Sequence, residues 1–263
     1  MQIRLTFFSS ILLSLVFLLN LSSCNEKSTN PEDPSTVFAA AAEPYDDGLY
    51  DLALQKLGQF KSRFPYSKHA AQTDLMIADS HYQLGNYQES AVAYAQFIKL
   101  HPRHPKVDFA QFRIGESYWI EAPEEVDREQ DLTNQALIEW QILIDRFPKS
   151  EYSTKARERM ALGRKRIARA EEFVMNFYCK QEIYHACAFR SIKILEDYQQ
   201  FPDITASALK QAALSFSKLA EQKEKDPETD ANIYVKEMSV ADLNKKSETF
   251  RTALAKAKNN KKK

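Results

Sequence analysis

The most reactive side chains in this chain are its three cysteines. Cys24 ends the run Leu21-Ser22-Ser23-Cys24, which follows Arg4 and the apolar stretch 5–19. A basic start, an apolar run too short for a membrane span and small residues leading into a cysteine form the pattern of a lipoprotein signal. On this reading residues 1–23 are a signal peptide and the Cys24 thiol accepts a covalent lipid. Several acyl chains on one residue hold a protein to a membrane where a single chain would not. An ordinary secretory signal with an incidental cysteine is the alternative.

Cys179 and Cys187 lie close together, with His185 between them. An oxidising compartment would permit a disulfide. The helical register expected here, however, sets Cys187 opposite Met175, one turn away from Cys179. That offset exceeds the limit of about 7 Å between bridged Cα atoms, so the two are expected to stay unbridged. His185 beside Cys187 could form a nucleophilic pair, but core filling is the expected role of this cysteine. His101 and His104 could ligate a metal, yet no matching ligand set accompanies them, and they are expected in a loop. The chain has no Gly-rich phosphate loop, nucleophile elbow or HExxH motif. The 36 basic residues equal the 36 acidic ones, so no global field points to nucleic acid. We therefore expect no catalytic site, no metal, no nucleic-acid partner and no cofactor beyond the lipid on Cys24.

The elements that position these residues follow from a repeat. Gly48, Tyr50, Ala53 and Pro65 recur at the same spacing as Gly85, Tyr87, Ser90 and Pro102. This is the second-helix half of a tetratricopeptide repeat (TPR). Gly permits the tight turn between the helices of a pair. The small residue lets the two helices approach, and Pro stops the second one. Pro105 suits the first turn of the next helix, where its missing donor costs nothing. Ala78 before Gly85, and Gly115 before Tyr118, fit the first helices of two pairs. Phe147-Pro148 and Phe201-Pro202 end two further runs, with Ala136 and Cys187 at the small positions. A long helix is predicted over 153–178 and a fifth first helix over 205–222. The aromatics Phe60, Phe64, Tyr94, Phe97, Trp140 and Phe147 fall at helical spacing and are expected in the core.

The predicted fold is all-α, a TPR superhelical solenoid of about five helix pairs. Residues 24–35 are predicted as a flexible tether. TPRs 1–2 occupy 36–105. TPRs 3–5 occupy 106–222, with an acidic insertion at 121–135 before Ala136. Residues 223–263 are predicted as a basic tail with a solvated, frayed helix end. Contact of that tail with an anionic surface is the alternative.

Residues 64–115 resemble the BamD (ComL) family of outer-membrane assembly lipoproteins. The FPxS turn after the first repeat, the FIxxHPxHPxxDxAxxxxG block, VDREQDLTNQAL (126–137), FPKSEYSTKARERM (147–160) and the closing FY (177–178) carry the likeness. Pro44, the extra QQF (199–201) and the C-terminal end depart from it. The resemblance implies a periplasm-facing scaffold anchored in the outer membrane. It implies as partners the barrel-forming subunit (BamA), other assembly lipoproteins and unfolded outer-membrane protein clients. TPR geometry then puts Leu75, Asp79, Tyr82, Phe112, Glu116 and Trp119 towards a peptide-binding groove. For Phe112 and Trp119, packing between repeats is an equal alternative; Asp79 and Glu116 are expected to be exposed in either case. Two further readings stay open. One is a periplasmic TPR adaptor of the Tol-Pal type, although the coiled coil of such proteins is missing. The other is an enzyme acting on peptidoglycan, for which no catalytic pair is visible.

Overall fold

The computed structural model describes residues 33–226 and 233–260. It contains α1 (Pro34–Asp46), α2 (Tyr50–Arg63), α3 (Ala70–Gln83), α4 (Tyr87–Leu100), α5 (Val107–Glu121), α6 (Asp131–Arg146), α7 (Glu151–Lys180), α8 (Tyr184–Asp197), α9 (Pro202–Lys225), α10 (Ile233–Lys236) and α11 (Val240–Asn260). No strand occurs among the described residues. Each long helix packs on the one before it, and α11 packs on α9. The result is a solenoid of five helix pairs of TPR type. Residues 1–32, which include Cys24, lie outside the described residues.

The turns explain the glycines and prolines. Gly48 and Gly85 adopt φ of 76° and 78°, left-handed values that glycine reaches without steric cost. In the first turn Gly48 N–H donates to Tyr45 and Leu49 N–H to Pro44; in the second Gly85 N–H donates to Tyr82 and Asn86 N–H to His81. These are paired Schellman bonds, which satisfy carbonyls stranded at a helix end. The α7–α8 turn repeats the pattern, with Glu182 N–H to Cys179 and Ile183 N–H to Tyr178. Here Glu182 occupies the glycine slot at φ 61°, at a cost of about 1 kcal/mol.

The prolines act just after the helices end. Ser67 N–H donates to Phe64, His104 N–H to His101, Val107 N–H to His104 and Ser150 N–H to Phe147. Each bond closes a four-residue turn with Pro65, Pro102, Pro105 or Pro148 at its second position, where a fixed φ fits. Pro105 is thus a turn residue ahead of α5, whose N-cap is Lys106, rather than part of its first turn. Pro202 stands at the start of α9 and does not stop α8, which ends at Asp197.

The small positions Ala53, Ser90, Ala136 and Cys187 are all fully buried, as close helix packing requires. Phe60, Tyr94, Phe97 and Trp140 fill the core around them, while Phe64 and Phe147 are half-buried. A Cβ on Gly115 would stand 2.3 Å from Trp140 Nε1, so this glycine is where the indole passes over α5.

Three boundaries move. The Asp33 carboxylate accepts the Ser35 and Thr36 N–H groups, so α1 starts at Pro34, inside the predicted tether. In the acidic insertion, the Gln130 amide donates to the carbonyls of Glu125 and Arg128, and its oxygen accepts the Thr133 hydroxyl. This pins a loop of residues 122–130 and lets α6 begin at Asp131, five residues before Ala136. Within the predicted basic tail, Val240–Asn260 is instead the second helix of the fifth pair. Leu243 is fully buried, Ser247 donates to the Ala213 carbonyl, and Phe250 stacks on Phe216. Three inward residues at helical spacing suffice to dock α11; its lysines obscure the pattern in the sequence.

Cys179 and Cys187 form a disulfide, with Cα atoms 5.0 Å apart. This overturns the expectation of unbridged cysteines. Packed helix axes usually lie 8–10 Å apart, so at 5.0 Å both Cα atoms must be on the facing sides of α7 and α8. The tight turn holds the helix ends together there, and the axial offset inferred from register does not carry the cysteines apart.

Candidate functional site

The six residues predicted to line a groove lie on α3 and α5, the first helices of two adjacent pairs. The structure joins most of them into an inter-repeat network. The Asp79 carboxylate accepts the Tyr94 hydroxyl at 2.7 Å and the Tyr45 hydroxyl. Tyr45 ends α1 as Tyr82 ends α3, each three residues before its turn glycine, so its bond to Asp79 ties two successive first helices together. Arg113 reaches in from α5, the next first helix, its guanidinium 3.8 Å from Asp79. That guanidinium also lies 4.0 Å above the Tyr82 ring and 5.3 Å above Phe109. Glu116 meets Arg159 of α7, with Oε1 3.0 Å from Nε and Oε2 accepting Nη2 at 3.3 Å. Trp119 is covered by Arg166, 3.7 Å from the ring centre, which also donates to the Pro123 carbonyl.

Asp79 and Glu116 are therefore not the exposed anchors expected from the sequence. The Glu116 and Asp79 side chains are 8% and 15% exposed, and both are engaged by the protein itself. A carboxylate leaves water only where donors replace its hydration, and neighbouring repeats supply them. Leu75 and Phe112 are buried: Leu75 packs with Ala78 and Tyr94, Phe112 with Trp140 and Met160. Tyr82 and Trp119 remain half-buried. Of the six residues, these two alone combine an accessible edge with a fixed orientation.

The electrostatics follow the burial. Burial raises the Tyr94 and Tyr45 phenols well above their ordinary range, and Asp79 reinforces the effect. Burial pushes the Glu116 carboxyl up, while Arg159 pulls it part of the way back. Arg166 is lowered by burial, against the pull of Glu124. The strip is a row of ion pairs and arginine–aromatic stacks, in which Arg113 Nε and Glu116 Oε1 are buried without a hydrogen-bond partner among the described residues.

The histidines of the proline loop are also occupied. His101 Nε2 lies 2.9 Å from Asp74, which also pairs with Lys61, and His104 packs edge-on against Phe97. Among the described residues no group of three His, Cys, Asp or Glu side chains could hold a metal.

A second feature escaped the sequence reading. A cleft of about 570 Å³ lies among α8, α9 and α11, lined by His185, Phe189, Ile192, Phe216, Leu219 and Met238 among others. Phe189 is 62% exposed, and Phe173, Phe177 and Ile183 also face solvent nearby in sequence. One wall is fixed by Lys223, whose ammonium donates to the carbonyls of Val235, Lys236 and Met238. The sequence signal for it is Phe189, two residues past the buried Cys187 and therefore off the packed face of α8.

The fold is a TPR-type solenoid in which side chains meet across successive repeats. The family model described as "YfiO: Outer membrane lipoprotein" matches residues 30–231, and the chain belongs to that family. A relative from Neisseria gonorrhoeae, an "Outer membrane protein assembly factor BamD", is 29% identical over 72% of this chain and 77% of its own. Proteins of the same description from Pasteurella multocida and Vibrio cholerae are 27% and 23% identical over 78% and 66% of this chain, and 80% and 75% of theirs. A solved tetratricopeptide repeat protein from Parabacteroides merdae is 13% identical over 82% of this chain and 98% of its own, with a TM-score of 0.27, too loose a superposition to carry an argument. Among the described residues no helix is long and apolar enough to cross a membrane.

Proposed function

We propose that the chain is a periplasm-facing scaffold of the machinery that assembles outer-membrane β-barrels, held to the outer membrane by lipid on Cys24. It acts by binding, without catalysis. Its partners are the barrel-forming subunit, the other assembly lipoproteins and unfolded outer-membrane proteins. The observation that carries the reading is membership of the outer-membrane lipoprotein family across residues 30–231, with relatives described as assembly factors.

Two surfaces divide the work. Tyr82 and Trp119 offer aromatic edges along the first helices, suited to an extended client segment. Asp79, Arg113, Glu116 and Arg159 hold those edges in place instead of binding the client. The apolar cleft around Phe189 suits a folded partner, because it joins Phe189, Ile192, Phe216, Leu219 and Met238 into one contiguous apolar groove, the kind of surface that marks an interaction site.

Two experiments test this. A pull-down of the lipidated chain in mild detergent is expected to recover the barrel-forming subunit, and Phe189→Asp to abolish that recovery. A photo-crosslinking phenylalanine at Tyr82 or Trp119 is expected to capture nascent barrel proteins. Recovery of no assembly component, together with crosslinks confined to Tyr66 on the outer loop, would overturn the reading.

A further inference from the structure

We propose that the Cys179–Cys187 disulfide is a reducible latch on the α7–α8 turn, a redox modification site whose co-substrate is a small dithiol. Three turns in the solenoid share one hydrogen-bond pattern, and two of them put glycine in the left-handed position. The third uses Glu182, which meets a steric cost there. That same turn carries the crosslink. The disulfide thus holds closed a turn that its local sequence disfavours.

The two sulfurs differ. Cys187 is fully buried, and its Sγ accepts the Ser215 hydroxyl from α9 at 2.9 Å. Cys179 is half-buried at the end of α7. A thiolate arriving from solvent therefore attacks Cys179. A new S–S bond forms to the reductant, and the Cys179–Cys187 bond breaks. The electron pair passes to Cys187 Sγ, where the Ser215 hydroxyl stabilises the departing thiolate until it takes a proton. The second thiol of the reductant then attacks the mixed disulfide and releases Cys179, which is protonated in turn. Two electrons and two protons have moved to the protein, and the dithiol has become a disulfide.

The latch bears on the cleft directly. Tyr178 and His185 flank the turn on either side and both line the cleft beside Phe189. Reduction frees the strained turn and loosens that rim, while Gly48 and Gly85 keep the earlier turns closed unaided. The inference stands apart from the proposed partners, since it concerns the state of this turn alone.

The test is hydrogen exchange on the mature full chain with and without dithiothreitol. Reduction is expected to speed exchange at amides 181–185 about tenfold, with no change at the glycine turn around Gly85. Unchanged exchange at 181–185 would overturn the latch. Glutathione should be mapped by mass spectrometry to Cys179; a mixed disulfide on Cys187 would refute the assigned order of attack. Ser215→Ala is expected to slow reduction about threefold at an unchanged melting temperature, and an unaltered rate would remove Ser215 from the step. In the reduced protein Glu182→Gly should restore slow exchange. Failure to do so would show that backbone strain does not drive the opening.

Discussion

Replacing a helical glycine by alanine should have opposite effects at Gly115 and Gly58, and the structure sets both magnitudes. Gly58 is exposed on α2 and a Cβ there meets nothing within 4 Å. Alanine should then gain helix propensity of about 1 kcal/mol. At Gly115 a Cβ would lie 2.3, 2.5 and 2.8 Å from three atoms of the Trp140 ring. The ring cannot step aside freely: it is fully buried, flanked by Phe112 and Trp119, and its Nε1–H donates to the Phe112 carbonyl at 3.3 Å. Overpacking of a rigid core group costs about 1–3 kcal/mol, and loss of the indole hydrogen bond adds about 1 kcal/mol. Set against the same propensity gain, the net loss is about 2 kcal/mol. For a chain of this size that lowers the melting temperature by about 4–8 °C, whereas Gly58→Ala raises it by about 2–4 °C. Circular dichroism melts of the two single variants and the wild type measure both shifts. If Gly115→Ala melts at or above the wild type, the packing of α5 against α6 through Trp140 is wrong as described. Gly163→Ala should fall between the two, because its Cβ meets the flexible end of Leu137 at 2.8 Å.

Two further predictions concern the inter-repeat network. Asp79→Ala removes the acceptor for the Tyr45 and Tyr94 hydroxyls and should cost about 1–3 kcal/mol; Asp79→Asn, which keeps one acceptor oxygen, should cost less. Denaturant midpoints check this ranking, and an unchanged midpoint for Asp79→Ala would remove the network from the stability of the fold. Burial also holds the Tyr94, Tyr45, Tyr82, Tyr118 and Tyr198 phenols above their ordinary value of 10.0. Folded, they keep protons that the unfolded chain loses near pH 10, so stability is fully present below that pH and falls as pH rises beyond it. Ultraviolet titration should show a subset of the 12 tyrosines ionising only as helical circular dichroism is lost. Reversible ionisation of all of them with the helices intact would contradict their burial.

The sequence by itself determined the class of fold and the chemistry of its joints. Gly48 and Gly85 fix left-handed turns, Pro65, Pro102 and Pro148 fix the turns after the second helices, and Ala53, Ser90 and Ala136 mark the close contacts. All of these are local: each depends on the steric properties of a residue and a few neighbours along the chain, so spacing alone reveals them. The tertiary structure decided which side chains meet. Asp79 and Glu116 read as solvent-facing acids because a helix pattern reports which way a residue points, not what the neighbouring repeats bring to it. The docking of α11 through Leu243, Ser247 and Phe250, and the cleft beside Phe189, likewise depend on how one pair stacks on the next. The disulfide was misread for the same reason, since helical register gives an axial offset but not the closeness of two helix ends at a tight turn. Covalent geometry along the chain is written in the sequence; the match between distant surfaces exists only once burial has brought them together.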